Sequence, residues 1–279
     1  LAIIRALTIV NEQRGGDSVG FFNSTMRMIK AAVNPSDGIR QKNISAWLEQ
    51  ASEETWFCAG HTRLATQGGI SRKTSHPFRY GRIIGSHNGI VDSPDQYVVD
   101  SQYLFNSLNK AKGDYNKAWA DIVGYWANSW FDGENFYLQV HNGELHICQY
   151  KGCYYYSSSA KHLESCVGFN TTIRKIGEGE TLKFSPDGKM EITTPFVSTA
   201  PDYWTKKYGC SNTRSYTRYG NNFVYKGGTG NTVDRGTIFS DDGYSEDNES
   251  VKSFDAEWRE SWAAYSGSMN DDTEDGQRS

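Results

Sequence analysis

The sequence predicts a layered α+β fold, and three observations point there. Apolar residues recur at helical spacing in the first segment. Short strand-like runs follow and then dominate from Gly124 to Ile192, and further helical patterns fall between the strand groups. With 279 residues and an aromatic content of 14%, the chain is long enough to bury one substantial core and an extra segment.

Ile3, Ile4, Leu7 and Val10 mark an amphipathic helix that ends near Arg14-Gly15-Gly16. Strand-like runs follow at Ser18–Phe22 and Met26–Val33, then a helix around Ile44–Gln50 and a buried-type strand at Trp56–Thr62. A loop rich in Gly, Ser and Thr runs from Thr66 to Pro77, and Arg82–His87 is expected to be a strand. Tyr103, Leu104 and Leu108 give a helix after Asp100, and another is expected near Tyr115–Ile122. Strands are then expected at Tyr125–Phe131, Phe136–His141, Leu145–Tyr150, Gly179–Ser185 and Met190–Thr194, with Asn142-Gly143 as a hairpin signal.

Past about Thr199 the composition turns to Gly, Ser, Asn, Tyr and charged residues, which predicts a poorly ordered tail over 198–279 after a domain at 1–197. From Asp241 onward twelve acidic residues face only Lys252, Arg259 and Arg278, so the tail carries the acidity of the chain. Within it Phe254, Trp258, Trp262 and Tyr265 share one face of a helix at 253–265 that Ser253 caps. So short a helix needs a surface to dock on.

The net charge of −4 argues against a general nucleic-acid binder. No apolar run reaches the roughly 18 residues of a membrane span, and no charged-then-apolar leader opens the chain. The five cysteines, Cys58, Cys148, Cys153, Cys166 and Cys210, are odd in number and contain no C-x-x-C pair. That fits neither a disulfide framework nor a zinc ribbon, and makes a cytoplasmic setting the default.

Four blocks carry the chemistry: Arg14-Gly15-Gly16-Asp17-Ser18-Val19-Gly20; Gly60-His61-Thr62-Arg63-Leu64-Ala65-Thr66-Gln67-Gly68; Ser75-His76-Pro77; and Ser86-His87-Asn88-Gly89-Ile90. In letters, order and spacing they resemble the class II glutamine amidotransferases, N-terminal-nucleophile (Ntn) hydrolases of the glucosamine-6-phosphate synthase type. There the blocks read approximately R-G-x-D-S-x-G, H-T-R-x-A-T-x-G, H-P and H-N-G-I. The resemblance covers roughly residues 1–195 and implies an αββα sandwich. It also implies glutamine as substrate, hydrolysed to glutamate with ammonia passed to an acceptor, and neither cofactor nor metal.

Glutamine has to be gripped at its α-carboxylate, its α-ammonium and its amide. A guanidinium fork suits the carboxylate, and Arg63 is placed for that with Thr66 donating from the same loop. By resemblance Asp100 takes the ammonium, while the Asn88 side chain and the Gly89 N–H form the oxyanion hole. Plainer readings stand beside these. Asn88-Gly89 is a turn signal like Asn142-Gly143, Arg63 suits a surface ion pair, and Asp100 suits a helix cap. Arg14 and Asp17 are expected to brace the loop. His61, His76 and His87 lack the ligand spacing of a zinc site.

The pattern breaks at its start. In the family the nucleophile is a cysteine at the first residue, with its own α-amine as base. Leu1 instead aligns inside the helix that follows the family's first strand, so a strand and turn of about 5–10 residues is missing. Leu64 replaces the usual aromatic, and Gln67 stands where histidine is common. Two readings remain open: an amidotransferase whose nucleophile lies upstream of Leu1, or a non-catalytic Ntn-fold module for ligand binding or structural contacts. Under the first reading no acceptor domain is legible after residue 197, so an acceptor is expected to come from a partner in trans or not to exist.

Overall fold

The computed structural model describes residues 1–66 and 68–193, and the backbone of 215–219 and 222–226. The chain divides into two compact units, Leu1–Cys210 and Ser211–Ser279. Of the second unit only the antiparallel hairpin Ser215–Tyr219 with Asn222–Lys226 is described. The expected acidic tail and the helix at 253–265 lie outside the described residues, as does Gln67.

The first unit opens with helix α1 (Ala2–Asn11) and a 3-10 turn at Glu12–Arg14. Then come strands β1 (Ser18–Asn23) and β2 (Met28–Ala31), helices α2 (Pro35–Arg40) and α3 (Lys42–Glu54), and strand β3 (Cys58–Arg63). Strands β4 (Phe78–Tyr80) and β5 (Ile83–Val91) precede helices α4 (Asp100–Ala111) and α5 (Tyr115–Ala120). After β6 (Gly124–Phe131), β7 (Phe136–His141), β8 (His146–Tyr150) and β9 (Cys153–Ser157) comes helix α6 (Ala160–Val167). The unit closes with β10 (Ile173–Lys175), β11 (Thr181–Phe184) and β12 (Met190–Thr193).

These elements make a four-layered αββα sandwich with antiparallel sheets. One layer is a six-stranded sheet in the order β12-β11-β7-β6-β5-β4. The facing layer holds two three-stranded sheets, β2-β1-β3 and β10-β8-β9. Between the layers lies an apolar core to which Phe22 and Ala59 come from one side and Ile84, Phe131, Phe136 and Leu138 from the other. Helices α4 and α5 close the outer face of the six-stranded sheet through Leu104, Phe105, Leu108 and Trp119, packed on Trp126 and Trp130. On the opposite outer face Ile44, Trp47 and Leu48 of α3 pack on Val19 and Phe21, and Leu163 and Val167 of α6 pack with Ile3 and Leu7 of α1. Strand β1 is covered on both faces, so all six of its residues are buried and its sequence shows no polar alternation. Each fully buried Leu or Phe contributes about 1.5–3 kcal/mol, so these interfaces hold the layers together.

The structure departs from the sequence reading in places. Asn142 does adopt a left-handed turn (φ 50°), but β7 and β8 belong to different sheets, so Asn142-Gly143 carries the chain across the sandwich and closes no hairpin. Glu178 fixes that crossing by accepting from the Asn142 N–H at 2.7 Å and from His141 Nδ1 at 2.6 Å. Strand β5 is longer than expected and runs straight through His87, Asn88 and Gly89, so this second Asn-Gly is not a turn. Strand β9 and helix α6 fill a stretch to which periodicity had assigned nothing.

Candidate functional site

The functional blocks converge where β3, β5 and the start of α4 meet. Strand β3 pairs with β1 in register from Cys58↔Asn23 to Arg63↔Ser18, which sets Arg63 at the end of the pairing. Its neighbourhood is braced by the first block. The Asp17 N–H donates to the Arg63 carbonyl at 2.9 Å, and Asp17 Oδ2 accepts from the Ala65 N–H at 2.7 Å. Gly15 is required here, because a Cβ would stand 2.6 Å from the Thr62 carbonyl oxygen. Asp17 thus does what the sequence suggested for it.

Arg63 is buried, with 4% of its surface exposed, so the surface ion-pair reading of this residue fails. Its Nη1 donates to the Gly69 carbonyl at 2.9 Å. Burial pulls its pKa below the usual arginine value, while the negative charges of Asp17 and Asp100 oppose that. The same electrostatics show that Arg63 and Asp100 share one neighbourhood. Thr66 lies on the exposed loop just after Arg63.

Asp100 opens α4, with Val99 as the N-cap residue. Its Oδ1 accepts from the Ser101 N–H at 2.7 Å and its Oδ2 from the Val91 N–H at 3.0 Å, so the carboxylate pins the end of β5 to the start of α4. Asp100 is thus the first helical residue and not the N-cap, although its carboxylate does occupy one of the free first-turn N–H groups. Asn88 sits three residues before Val91 and is exposed. Asn88 and Gly89 pair with Ala127 and Trp126 of β6. Gly89 has φ 148°, and a Cβ there would stand 2.1 Å from the Tyr125 carbonyl oxygen. Only glycine fits so close a backbone approach. Gly89→Ala is expected to lower unfolding stability by about 2–3 kcal/mol, read as the urea midpoint at constant slope. An unchanged midpoint would mean that the strand can shift at no cost.

Behind Asp100 lies a cluster of three histidines, His76 and His87 buried and His61 half-buried. The rings of His61 and His76 meet at 4.1 Å between centroids, tilted by 43°, and His76 Nε2 and His87 Nδ1 each lie 3.0 Å from Ser101 Oγ. Burial drives the pKa of His61 down to about 3 and that of His76 well below the usual value. His87 is also lowered by burial, with the Asp100 charge partly restoring it. Near neutral pH these imidazoles are uncharged. Among the described residues no group of His, Cys, Asp and Glu is arranged to hold a metal ion.

Sequence reasoning missed Lys30 and Ser101. Lys30 Nζ donates to the carbonyls of Ser75 (2.7 Å) and Pro77 (3.0 Å), tying β2 to the loop that carries His76. Burial and Arg72 lower its pKa to about 8. Neither residue belongs to a motif block, and each acts through contacts that only the fold creates.

None of the described cysteines matches a primed nucleophile. Burial raises Cys58 to about 12 and Cys166 to about 11, and pushes Cys148 upward as well. Cys153 is exposed on β9. An open depression lined by Gln149, Tyr150, Phe169 and Thr171 lies at the β8 and α6 side and shares no residue with the Arg63 cluster.

The break between the two three-stranded sheets lies in the same region. Strands β3 and β9 are each the edge of their sheet, and Asn11 at the end of α1 touches both. Its carbonyl accepts from Thr62 Oγ1 at 3.0 Å and its Oδ1 from Ser157 Oγ at 3.3 Å. Tyr156 of β9 also feels Cys58 of β3, and Cys58 feels the Leu1 ammonium. Strands β3 and β9 are therefore neighbouring sheet edges that Asn11 bridges, with the Leu1 ammonium near enough to act on Cys58.

No family model matches the sequence, and no curated protein does. Solved structures do match. One is the glutamine phosphoribosylpyrophosphate amidotransferase from B. subtilis complexed with ADP and GMP: TM-score 0.56, 16% identity, 70% of this chain and 46% of that one covered. The fold is that of the class II glutamine amidotransferases. A second structure, described as the allosteric regulatory enzyme of purine biosynthesis, gives a TM-score of 0.53 at 16% identity and covers 70% of this chain and 45% of the other. The chain thus spans about half the length of these amidotransferase-fold structures, and at such identity the likeness is one of architecture. Among the described residues no helix is long and apolar enough to cross a membrane.

Proposed function

We propose that residues 1–197 form the glutamine-binding part of a class II glutamine amidotransferase. The supporting observation is that a buried guanidinium, Arg63, and the Asp100 carboxylate lie near enough for the charge of Asp100 to act on Arg63, beside the strand that carries Asn88 and Gly89. A free amino acid carries one negative and one positive group, and this arrangement offers one partner for each. In this reading Arg63, with Thr66, holds the α-carboxylate, Asp100 holds the α-ammonium, and the Asn88 amide and Gly89 N–H receive the oxyanion.

In this reading the nucleophile is an N-terminal cysteine on a strand ahead of α1, for which the free edge of β3 is the available pairing partner. Its thiolate attacks the glutamine amide carbon to give a tetrahedral oxyanion. The carbon–nitrogen bond then breaks, ammonia leaves with a proton from the α-amine of that cysteine, and water hydrolyses the γ-glutamyl thioester to glutamate. The coding sequence ahead of Leu1 should therefore supply a short segment beginning with cysteine.

A chain carrying that segment is expected to release ammonia from glutamine. Asn88→Ala in the extended chain is expected to lower kcat about 100- to 1,000-fold, the usual effect of losing one oxyanion donor. Ammonia release that is unaffected by Asn88→Ala would remove the oxyanion role. The alternative, a binding module without chemistry, is favoured by the raised pKa values of Cys58 and Cys166. It predicts glutamine affinity with no turnover in the chain carrying its natural upstream segment.

A further inference from the structure

Lys30, Gly20 and His61 make a row across one face of a three-stranded sheet. In the register of β2, β1 and β3, Lys30 lies opposite Gly20, and Gly20 opposite His61. Opposed residues on paired strands share a face. The segment Ser75-His76-Pro77 lies over that row. At one end Lys30 Nζ donates to the carbonyls of Ser75 at 2.7 Å and Pro77 at 3.0 Å. In the middle Gly20 makes room, since a Cβ there would stand 2.1 Å from the His76 carbonyl oxygen. At the other end the His61 ring meets the His76 ring at 4.1 Å.

Lys30 thus grips the backbone on both sides of His76, while the His76 side chain reaches the other way. His76 Nε2 lies 3.0 Å from Ser101 Oγ, and the Ser101 N–H donates to Asp100 Oδ1 at 2.7 Å. A chain of buried or half-buried contacts therefore runs from the β2 ammonium to the carboxylate at the head of α4. The task of that ammonium is internal: two of its N–H groups serve carbonyls, and Nζ lies 4.8 Å from the centre of the Phe78 ring.

We propose that Lys30 is a positioning residue for Asp100: by fixing the backbone before and after His76, it holds the imidazole that supports Ser101 and the first turn of α4. This rests on the reading of Asp100 as the partner of the substrate's ammonium. Holding a half-buried cation here costs desolvation that an apolar residue would not incur. What the charge supplies in exchange is fixed geometry on either side of one histidine. A carboxylate whose direction is set before the substrate arrives binds an ammonium more tightly than one that has to be ordered.

The test uses the full chain at pH 7, as wild type, Lys30→Met, Lys30→Arg, Ser101→Ala and the double variant of Lys30→Met with Ser101→Ala. Imidazole NMR reads the position of His76. Its ring signals are expected to shift or broaden in Lys30→Met and to return toward wild type in Lys30→Arg, which keeps a cationic donor. Unmoved His76 signals in Lys30→Met overturn the positioning.

Calorimetry with glutamine reads the consequence. Affinity is expected to fall about tenfold in Lys30→Met and about tenfold in Ser101→Ala. The double variant is expected to lose about tenfold again and not a hundredfold, because both residues act through one chain of contacts. A purely structural Lys30 would lower the urea midpoint and leave the affinity of the folded protein unchanged. That result overturns the proposal, and so do losses that multiply in the double variant. Asp100→Asn separates the proposal from the reading beneath it. Affinity unaffected by Asp100→Asn, or a wild type that binds no glutamine, overturns the ammonium assignment. A loss in Asp100→Asn beside full affinity in Lys30→Met overturns the role of Lys30 alone.

Discussion

Arg63→Ala is expected to weaken glutamine or glutamate binding about 30- to 1,000-fold, measured by calorimetry on the full chain. Arg63 is a buried cation whose field is shared with Asp17 and Asp100, and it lies on the strand end that the Gly15 and Asp17 contacts hold rigid. Truncating one partner of a buried charge pair costs about 2–5 kcal/mol, most of it from the charge left behind, and the lower part of that range converts to this loss. Arg63→Lys keeps the charge and loses the fork, so it should fall between wild type and alanine. The alanine variant also leaves two carboxylates without their cation, so its urea midpoint has to be measured alongside. Equal affinity in wild type and Arg63→Ala, with both folded, would falsify the proposed grip.

Acid is expected to unfold this domain well before its carboxylates titrate. His61 and His76 are neutral, with folded pKa values far below their unfolded value of about 6.5. The unfolded chain therefore binds protons that the folded chain refuses, and stability rises with pH across the window. Read downward, the loss begins near pH 6.5 and continues toward about pH 3 for His61. His61 alone removes about 1.4 kcal/mol per pH unit in this window, and His76 adds to the loss in the same direction. Two units of acidification thus remove about 2.7 kcal/mol through His61, a large share of the stability of many domains. Urea midpoints measured every half unit from pH 7 to 4.5 should show that slope. The double variant His61→Asn with His76→Asn should be less stable at pH 7 but shallower in its pH dependence. An unchanged slope would assign the acid sensitivity to other groups.

The legible parts of the molecule were those whose signal is local. The spacing of Ile3, Leu7 and Val10, the apolar faces of α3 and α4, and the aromatic-rich strand runs around Trp126 and Leu138 all need only their own neighbours in sequence. Arg63, Asn88, Gly89 and Asp100 stood out because they belong to blocks whose order is recognisable. The illegible parts depend on distant partners. Helix α6 has only eight residues, too few for a period to emerge, and its cap, Ser159 Oγ accepting from the His162 N–H, is one of several serines in a row. Asn142-Gly143 carries the same letters as a hairpin, yet the next strand, β8, joins another sheet, a choice made by the core around Ile147 and by Glu178. Ser101 became a candidate only when the fold brought β5 and the His76 loop against the first turn of α4.

The edge of β3 has a cost as well as a use. As outer strands of their sheets, β3 and β9 carry backbone groups that no neighbouring strand claims, the kind of edge onto which an extended peptide, including one from another copy of this chain, can zip. A chain that pairs along either edge would therefore also hide it from self-association, so added matching peptide is expected to raise the concentration at which the protein stays monomeric.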